Sequence, residues 1–565
     1  MKNGAWLAAE MESEGICKLG LAACSFIHNK EEPKVVSTYV QCGALRSNQR
    51  AKFSVMASNQ EITAPLRYWV DNERKRVVMA EASGHFVDVL FSFLTLPLGT
   101  IIRLGNTFGQ PIEIGCINNL FKSVEALNPD VFWNDICKRM LLSPRNPLEF
   151  SYQRLKLKVD DTQPTKYFVC HICSKGSDFS LSTFDEVKCH CGNLMKRQLD
   201  MLVEPAGGNG VFVKGDAMFL IFDDLTVLRS SPSVSFKPPL QLGHKEFRKV
   251  EEKSLDVDTN KVFSILKQAL TSKSALSVTL ENGKSEPSSS FLPDIGPSRW
   301  KDSIKIKVIE SKSQNKILFV EADGDFVDFL VSFLTMPLGS IMYLVNGKLS
   351  LGSIDKLYTS VKNLDPSWLI ASSTKSLLNP KVARHFGCGS NPLNASEEDT
   401  GKYWYGTGIV KDNRGRIICE KNMISKKKDM LKDPKDIKLL DPRSSDGARK
   451  SDVGFMKRPC LFVVSDNLEV KAMTTSSSIP CPFMENDRLL DDLEEHLVEI
   501  RKSQALNLLM ASLTSNEAAF TRSLSHLLWN WKCQRCIPFW GLLGRKKIRH
   551  RKKKEKEDKE SEKEI

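Results

Sequence analysis

The chain has 565 residues, 41% hydrophobic and 26% charged, long enough for two to four domains and without the bias of fibrous, disordered or membrane proteins. Its net charge of +13 is unevenly placed: residues 1–60 carry seven Lys and Arg against five Glu, residues 529–565 carry thirteen against six acids, and +4 remains for the 468 residues between. Basicity is therefore a tail property, and a near-neutral body argues against a DNA-binding domain. The fifteen cysteines are odd in number, and Cys116, Cys137, Cys388 and Cys460 stand singly among apolar residues. Such thiols suit a reducing, intracellular compartment, cytoplasm or nucleus, rather than a secreted disulfide scaffold. Residues 1–33 hold five glutamates and no sustained apolar run, so no secretory signal is read there. Residues 33–60 lack acids and resemble a transit peptide, but the acidic stretch before them argues against organelle import.

In chain order, the first element is a hairpin: LRYWV, the turn residues DNERK, then RVVMAEA. GHFVDVLFSFLTLPLG (84–99) follows. Phe86, Val89, Leu90, Phe93 and Leu94 fall on one helical face, with Asp88, Ser92 and Thr95 on the other. About 17 apolar-rich residues interrupted by Asp88 and Pro97 make a soluble helix, not a membrane span. Pro97 should end or kink it, with Gly99 as a C-terminal break. Asp88 reads as a solvated surface acid with no catalytic partner at fixed offset. TIIRL reads as a short strand, INNLFKSVEAL as a second helix, GVFVK and AMFLIFDD as strands, and NKVFSILKQAL as a closing helix.

The same words then return. From Glu81 to Ile101 against Glu321 to Ile341, fifteen of twenty-one residues are identical at an offset of 240. GCINNLFKSVEALNPDVFW answers GSIDKLYTSVKNLDPSWL, TKYF answers GKYW, and FDDLTV answers SDNLEV. In this second copy, IKIKVIE and ILFVEA form the hairpin, Asp328, Ser332 and Thr335 the polar stripe, and Pro337 and Gly339 the break. SIMYL and CLFVVSD read as strands, and EEHLVEIRKSQALNLLMASL as the closing helix. The expected fold is α+β: a tandem duplication of a hairpin–helix–helix–β-rich–helix unit. Residues 56–280 and 299–528 are the two units, joined by a Pro/Ser-rich linker at 281–298. Residues 1–55 read as an extension, disordered or a gene-model artefact, and 529–565 as a disordered tail containing tryptophan.

One cluster carries chemistry. Cys170, Cys173, Cys189 and Cys191 form C-x2-C-x15-C-x-C, a knuckle pair and a returning pair that can surround one ion; four soft thiolates suit a structural Zn²⁺. An extended strand would point Cys189 and Cys191 one way and His190 the other, with Gly192 permitting the following turn. His171 and His190 are alternative ligands, and four buried free thiols are the plainer reading. The second copy has Gly406 and Ile409 where Cys170 and Cys173 stand, and only Cys419 near the second pair. No metal is expected there, and Tyr403, Trp404 and Tyr405 should pack apolar.

GGNGVFVKGD (207–216) lacks the Gly-Lys-Ser/Thr ending of a phosphate loop and reads as a turn. No G-x-S-x-G or H-E-x-x-H occurs, and the nine histidines are dispersed. The tail joins three tryptophans, Cys533-x2-Cys536 and a basic block at Arg545–Lys554. It reads as a nucleic-acid or nuclear-localisation patch, a membrane-surface anchor, or a solvated end.

The phrases RVVMAEASGHFVDVLFSFLTLPLGTIIRL, GCINNLFKSVEAL, LLSPRNP and DDTQPTKYFVC, with ILFVEADGDFVDFLVSFLTMPLGSI in the second copy, resemble the plant proteins grouped as the domain of unknown function 674 family. The likeness spans roughly residues 56–528. It implies a plant, duplicated, cysteine-containing protein and supplies no catalytic residues. The expected function is a non-catalytic binding or scaffold protein with other proteins as partners and a structural zinc site. The alternatives are a nucleic-acid-associated protein using the zinc cluster and tail, and an enzyme of unknown reaction.

Overall fold

The computed structural model describes residues 63–529 except 177–178, 204–208, 232–249, 286–302, 350, 371–372, 390, 400, 412–416, 445–453, 474–489 and 525. The N-terminal extension, most of the linker and the basic tail lie outside the described residues.

The N-terminal half runs β1 (Ala64–Asp71), β2 (Arg76–Ser83), α1 (Gly84–Ser92), α2 (Leu98–Thr107), α3 (Ile117–Ala126) and α4 (Asp135–Leu142). Three short strands follow, β3 (Tyr167–Val169), β4 (Ser180–Ser182) and β5 (Arg197–Leu199), then β6 (Met218–Phe222), β7 (Val227–Arg229), β8 (Val250–Val257) and α5 (Thr259–Thr271). The C-terminal half begins β9 (Ile304–Ser311), β10 (Lys316–Asp323), α6 (Gly324–Thr335), α7 (Leu338–Leu344) and α8 (Ile354–Asn363). It continues with β11 (Tyr403–Lys411), β12 (Ile417–Ser425), β13 (Leu431–Leu439), β14 (Leu461–Ser465), β15 (Val470–Ala472), β16 (Leu493–Ile500) and α9 (Lys502–Thr514). Two five-stranded antiparallel sheets have matching orders, β7-β6-β2-β1-β8 and β15-β14-β10-β9-β16. A third, β12-β11-β13-β4-β3-β5, draws strands from both halves through a parallel contact of β13 with β4, Lys438 beside Ser180 and Leu439 beside Leu181. The chain is thus mixed α+β.

Several elements differ from the sequence reading. TIIRL and SIMYL are helical, within α2 and α7. Their β-branched residues suggest strand, but Leu98, Ile101 and Ile102 keep helical spacing and Pro97 starts the helix. Gly99 is accordingly the second residue of a new helix, not a break after an old one. GVFVK forms no strand; Val213 makes one isolated bridge with Leu369. EEHLVEI is not helix but β16, paired along its length with β9. β8 has the same edge role beside β1. Both are rich in charged residues, chiefly Glu, which mask alternation on solvated edge strands.

The two halves are interlocked. Pro97 and Pro337 face each other in an antiparallel bridge; the Leu98 N–H donates to the Met336 carbonyl and the Leu338 N–H to the Leu96 carbonyl, each at 3.1 Å. A Cβ at Gly99 would lie 3.1 Å from the Leu334 carbonyl oxygen, and one at Gly339 would lie 3.0 Å from that of Leu94, so glycine eases this approach. Beyond the crossing, α6 packs on α2, α3 and α4 of the other half, while α8 packs on α1 and β7. Reciprocal bonds follow: Val470 N–H to Ser123 Oγ at 3.0 Å, and Val227 N–H to Ser360 Oγ at 2.8 Å. Trp133 N–H donates to the Phe455 carbonyl at 3.1 Å, and Ile370 N–H to that of Phe212 at 2.8 Å. One hydrophobic core joins Phe86, Phe93 and Leu104 with Phe326, Phe333 and Ile341.

Asp88 and Asp328 are not solvated; both are 1% exposed, as their helices are enclosed on every side. Asp88 accepts the N–H groups of Val211, Phe212 and Val213 at 2.7, 2.7 and 2.8 Å. Asp328 accepts those of Phe455 and Met456 at 2.7 and 2.9 Å, and pairs with Arg458 at 2.6 Å. The described part of the glycine-rich loop, residues 209–216, therefore does cradle an anion, but the anion is the protein's own carboxylate. Burial pushes each carboxyl up to about 6, against the pull of the amides and, at Asp328, of Arg458.

Two outcomes are expected. Fragments 56–285 and 299–528, expressed separately, should lack a cooperative urea transition, and mixing them should restore one, because each alone exposes the shared core. Asp88→Asn should destabilise the chain by about 1–3 kcal/mol at pH 5, since an amide NH2 faces backbone donors. The folded pKa lies above the unfolded value, so Asp88 contributes stability below about pH 4 that is lost as pH rises through 6. The wild-type advantage over Asp88→Asn, read by urea unfolding, should accordingly shrink between pH 5 and 7.5.

Candidate metal centre

The third sheet positions the cysteines. β3 ends at Val169, and Cys170 leaves it into a turn in which the Ser174 N–H donates to the Cys170 carbonyl at 3.0 Å. Cys173 opens the 3-10 turn Cys173–Lys175, closed by Gly176 N–H to Cys173 carbonyl at 3.0 Å. The second pair sits on a tight turn held by Cys189 N–H to Asn193 carbonyl and Gly192 N–H to Cys189 carbonyl, both 2.8 Å, with Gly192 at φ +83°. That positive φ is the turn expected of Gly192. β3 pairs with β5, Val169 opposite Arg197, so both turns emerge at the same end of the sheet.

All four sulfurs lie within 4.8 Å of one another. Cys170 Sγ is 3.5 Å from Cys191 Sγ, and Cys189 Sγ is 3.7 Å from Cys173 Sγ. Both separations exclude a disulfide, whose sulfurs sit about 2 Å apart. They match the roughly 3.8 Å edge of a tetrahedron with metal–sulfur bonds of about 2.3 Å. Cys170 and Cys189 are buried, Cys173 is half-buried and Cys191 exposed. Asn193 Nδ2 donates to Cys191 Sγ at 3.4 Å; this bond, with the Asn193 backbone N–H, lowers the Cys191 thiol to about 6. Cys173 shifts upward, chiefly through its hydrogen bond with Cys191. Cys191 thus already favours the thiolate, the form that binds metal. Four cysteines so placed could hold a metal ion.

His190 departs from expectation. Because Cys189–Gly192 is a turn and not an extended strand, its ring does not point away: Nδ1 lies 3.4 Å from Cys189 Sγ and Nε2 3.8 Å from Cys173 Sγ. It borders the quartet as a polar neighbour; neither it nor His171 joins the four-sulfur group.

At the residues of the C-terminal half that align with the knuckle, a strand continues. Where β3 stops after three residues, β11 continues for nine through Gly406 and pairs on both sides with β12 and β13. Tyr403 and Tyr405 do pack apolar, against Tyr167 at 5.8 Å and edge-on to Phe179 at 4.9 Å. Trp404 does not: it is half-buried, with Lys428 Nζ 5.1 Å from its ring centre. Tyr167, Val169, Phe179 and Leu199 join Tyr403, Ile424 and Ile437 in a second small core. The cysteine knuckle closes one end of that core, a coupling no local pattern announces.

Three other cysteines are inert by environment. Burial pushes the Cys116, Cys137 and Cys388 thiols up to about 12. No helix of the described residues is long and apolar enough to cross a membrane. No curated protein and no solved structure matches the chain. The sequence model described as "Protein of unknown function (DUF674)" matches residues 60–503, and the chain belongs to that family.

Proposed function

We propose that the protein is a non-catalytic binding or scaffold protein, with a structural zinc ion held by Cys170, Cys173, Cys189 and Cys191. The carrying observation is the closed sulfur set: four thiolates complete a tetrahedron and leave no position for water or substrate. Soft ligands and near-tetrahedral spacing favour zinc over hard cations. Against catalysis stand the buried acids and thiols. Asp88 and Asp328 are engaged by backbone amides, and Cys116 and Cys137 are held protonated. The chain reads as a tandem duplication in which one copy kept the metal knuckle. The repeated phrase, the matching strand orders and the reciprocal bonds across Pro97 and Pro337 support this. Free, clustered thiols also favour a reducing intracellular setting, and the partners are taken to be other macromolecules.

Elemental mass spectrometry on the full chain should find about one zinc per molecule, and none in Cys170→Ser or Cys189→Ser. Limited proteolysis should then cut these variants within residues 171–203 while the two five-stranded sheets stay protected. A well-folded wild-type chain without metal would make the quartet a set of thiols and end the zinc assignment.

A further inference from the structure

The near-neutral average of the body conceals a local excess. Residues 402–439 carry eleven Lys and Arg against five acids, +6, so the other 430 residues between 61 and 528 sum to −2. This segment is β11, β12 and β13, the half of the third sheet that abuts the cysteine knuckle. At its end lies a groove of about 730 Å³ with Lys402, Lys426 and Lys438 in its walls and Phe179 and Tyr403 in its lining. Lys428, Lys432 and Lys435 stand exposed on the same strands and their connection.

Most acids of the groove are engaged. Asp399 pairs with Lys381 at 2.8 Å, and Glu398 accepts the Arg384 N–H at 3.3 Å; Asp436 remains. Lys402, Lys426 and Lys438 have no carboxylate partner among the described residues. They lie instead near rings: Lys426 Nζ is 5.5 Å from the Phe150 centroid and 5.9 Å from that of Tyr403, and Lys402 Nζ is 6.0 Å from that of Trp404. Cations without carboxylate partners along a concave wall, with the half-buried Trp404 ring beside one of them, are the arrangement that follows a phosphate backbone and stacks a base. A lipid surface would need a flat or convex face.

We propose that this groove binds single-stranded nucleic acid, its three lysines meeting phosphates and the half-buried Trp404, beside Lys402, offering ring surface to a base. The inference rests on reading the chain as a binding protein and not on the identity of the metal.

The test uses the full chain, fluorescein-labelled 20-nucleotide oligo(dT) and oligo(U), and anisotropy across a KCl series. The triple variant Lys402→Gln/Lys426→Gln/Lys438→Gln should lose about ten- to a hundredfold in affinity at low salt. Its log–log salt slope should fall by about 2, from three lost phosphate contacts. The Lys→Arg triple variant should retain binding, and both should melt like wild type. Equal affinity and slope in the glutamine variant would assign any binding elsewhere, such as the basic tail, and overturn the proposal. So would absence of binding to either oligonucleotide. Loss in the variant of binding to phosphatidylserine-containing vesicles, without loss toward the oligonucleotides, would also overturn it. None of these outcomes touches the zinc content, so failure here leaves the structural-zinc reading standing.

Discussion

Everything in this molecule is arranged around the close approach of two backbones at Pro97 and Pro337. Each proline withholds an N–H, so the flanking leucines supply the two hydrogen bonds of the bridge, one from each half. Gly99 and Gly339 leave no side chain between the helices that start there. Because the chains cross at this point, each half sends its following helices onto the other half's core helix. The buried phenylalanines of both halves then form one core, and separating them would expose it. The phrase that occurs twice is therefore the contact surface of the two halves with each other.

The third sheet has no such symmetry. The C-terminal half contributes three strands of nine residues; the N-terminal half contributes three strands of three residues, with four cysteines converging at one end. Strands of three residues have few ladder bonds of their own, and an ion held by the four sulfurs would do at their ends what length does on the other side. Phe179 belongs both to the small core behind this sheet and to the lining of the basic groove. The cysteine knuckle, the parallel contact of β13 with β4 and the lysine-bearing strands are thus parts of one structure.

Local pattern made much of this legible. The hairpins, the core helices and the helices at 117–126 and 354–363 carry clear two- and 3.6-residue periods. The cysteine spacing located a site whose sulfurs do converge. Misreadings occurred where local preference met a tertiary demand. Thr100 to Leu104 favours strand by composition, yet it follows a helix-starting proline and buries two isoleucines on one helical face. The acidic strands β8 and β16 look helical or loop-like alone, and only the neighbouring strands β1 and β9 make them sheet.

By itself, the sequence determined the strongly periodic elements, the near-identity of the two core phrases and the quartet of soft ligands, because these depend on residue type and short spacing. Only the tertiary structure decided what surrounds them. A polar stripe on a helix points to water or to amides from elsewhere in the same chain with the same letters. Asp88 and Asp328 are buried because loops from residues 211–213 and 455–456 bring N–H groups to them over more than a hundred residues. Charge behaves likewise: an average over the body hides the basic sheet, which becomes a surface only when three strands stand side by side. Long-range contacts fix burial, and burial sets the chemistry of each of these groups.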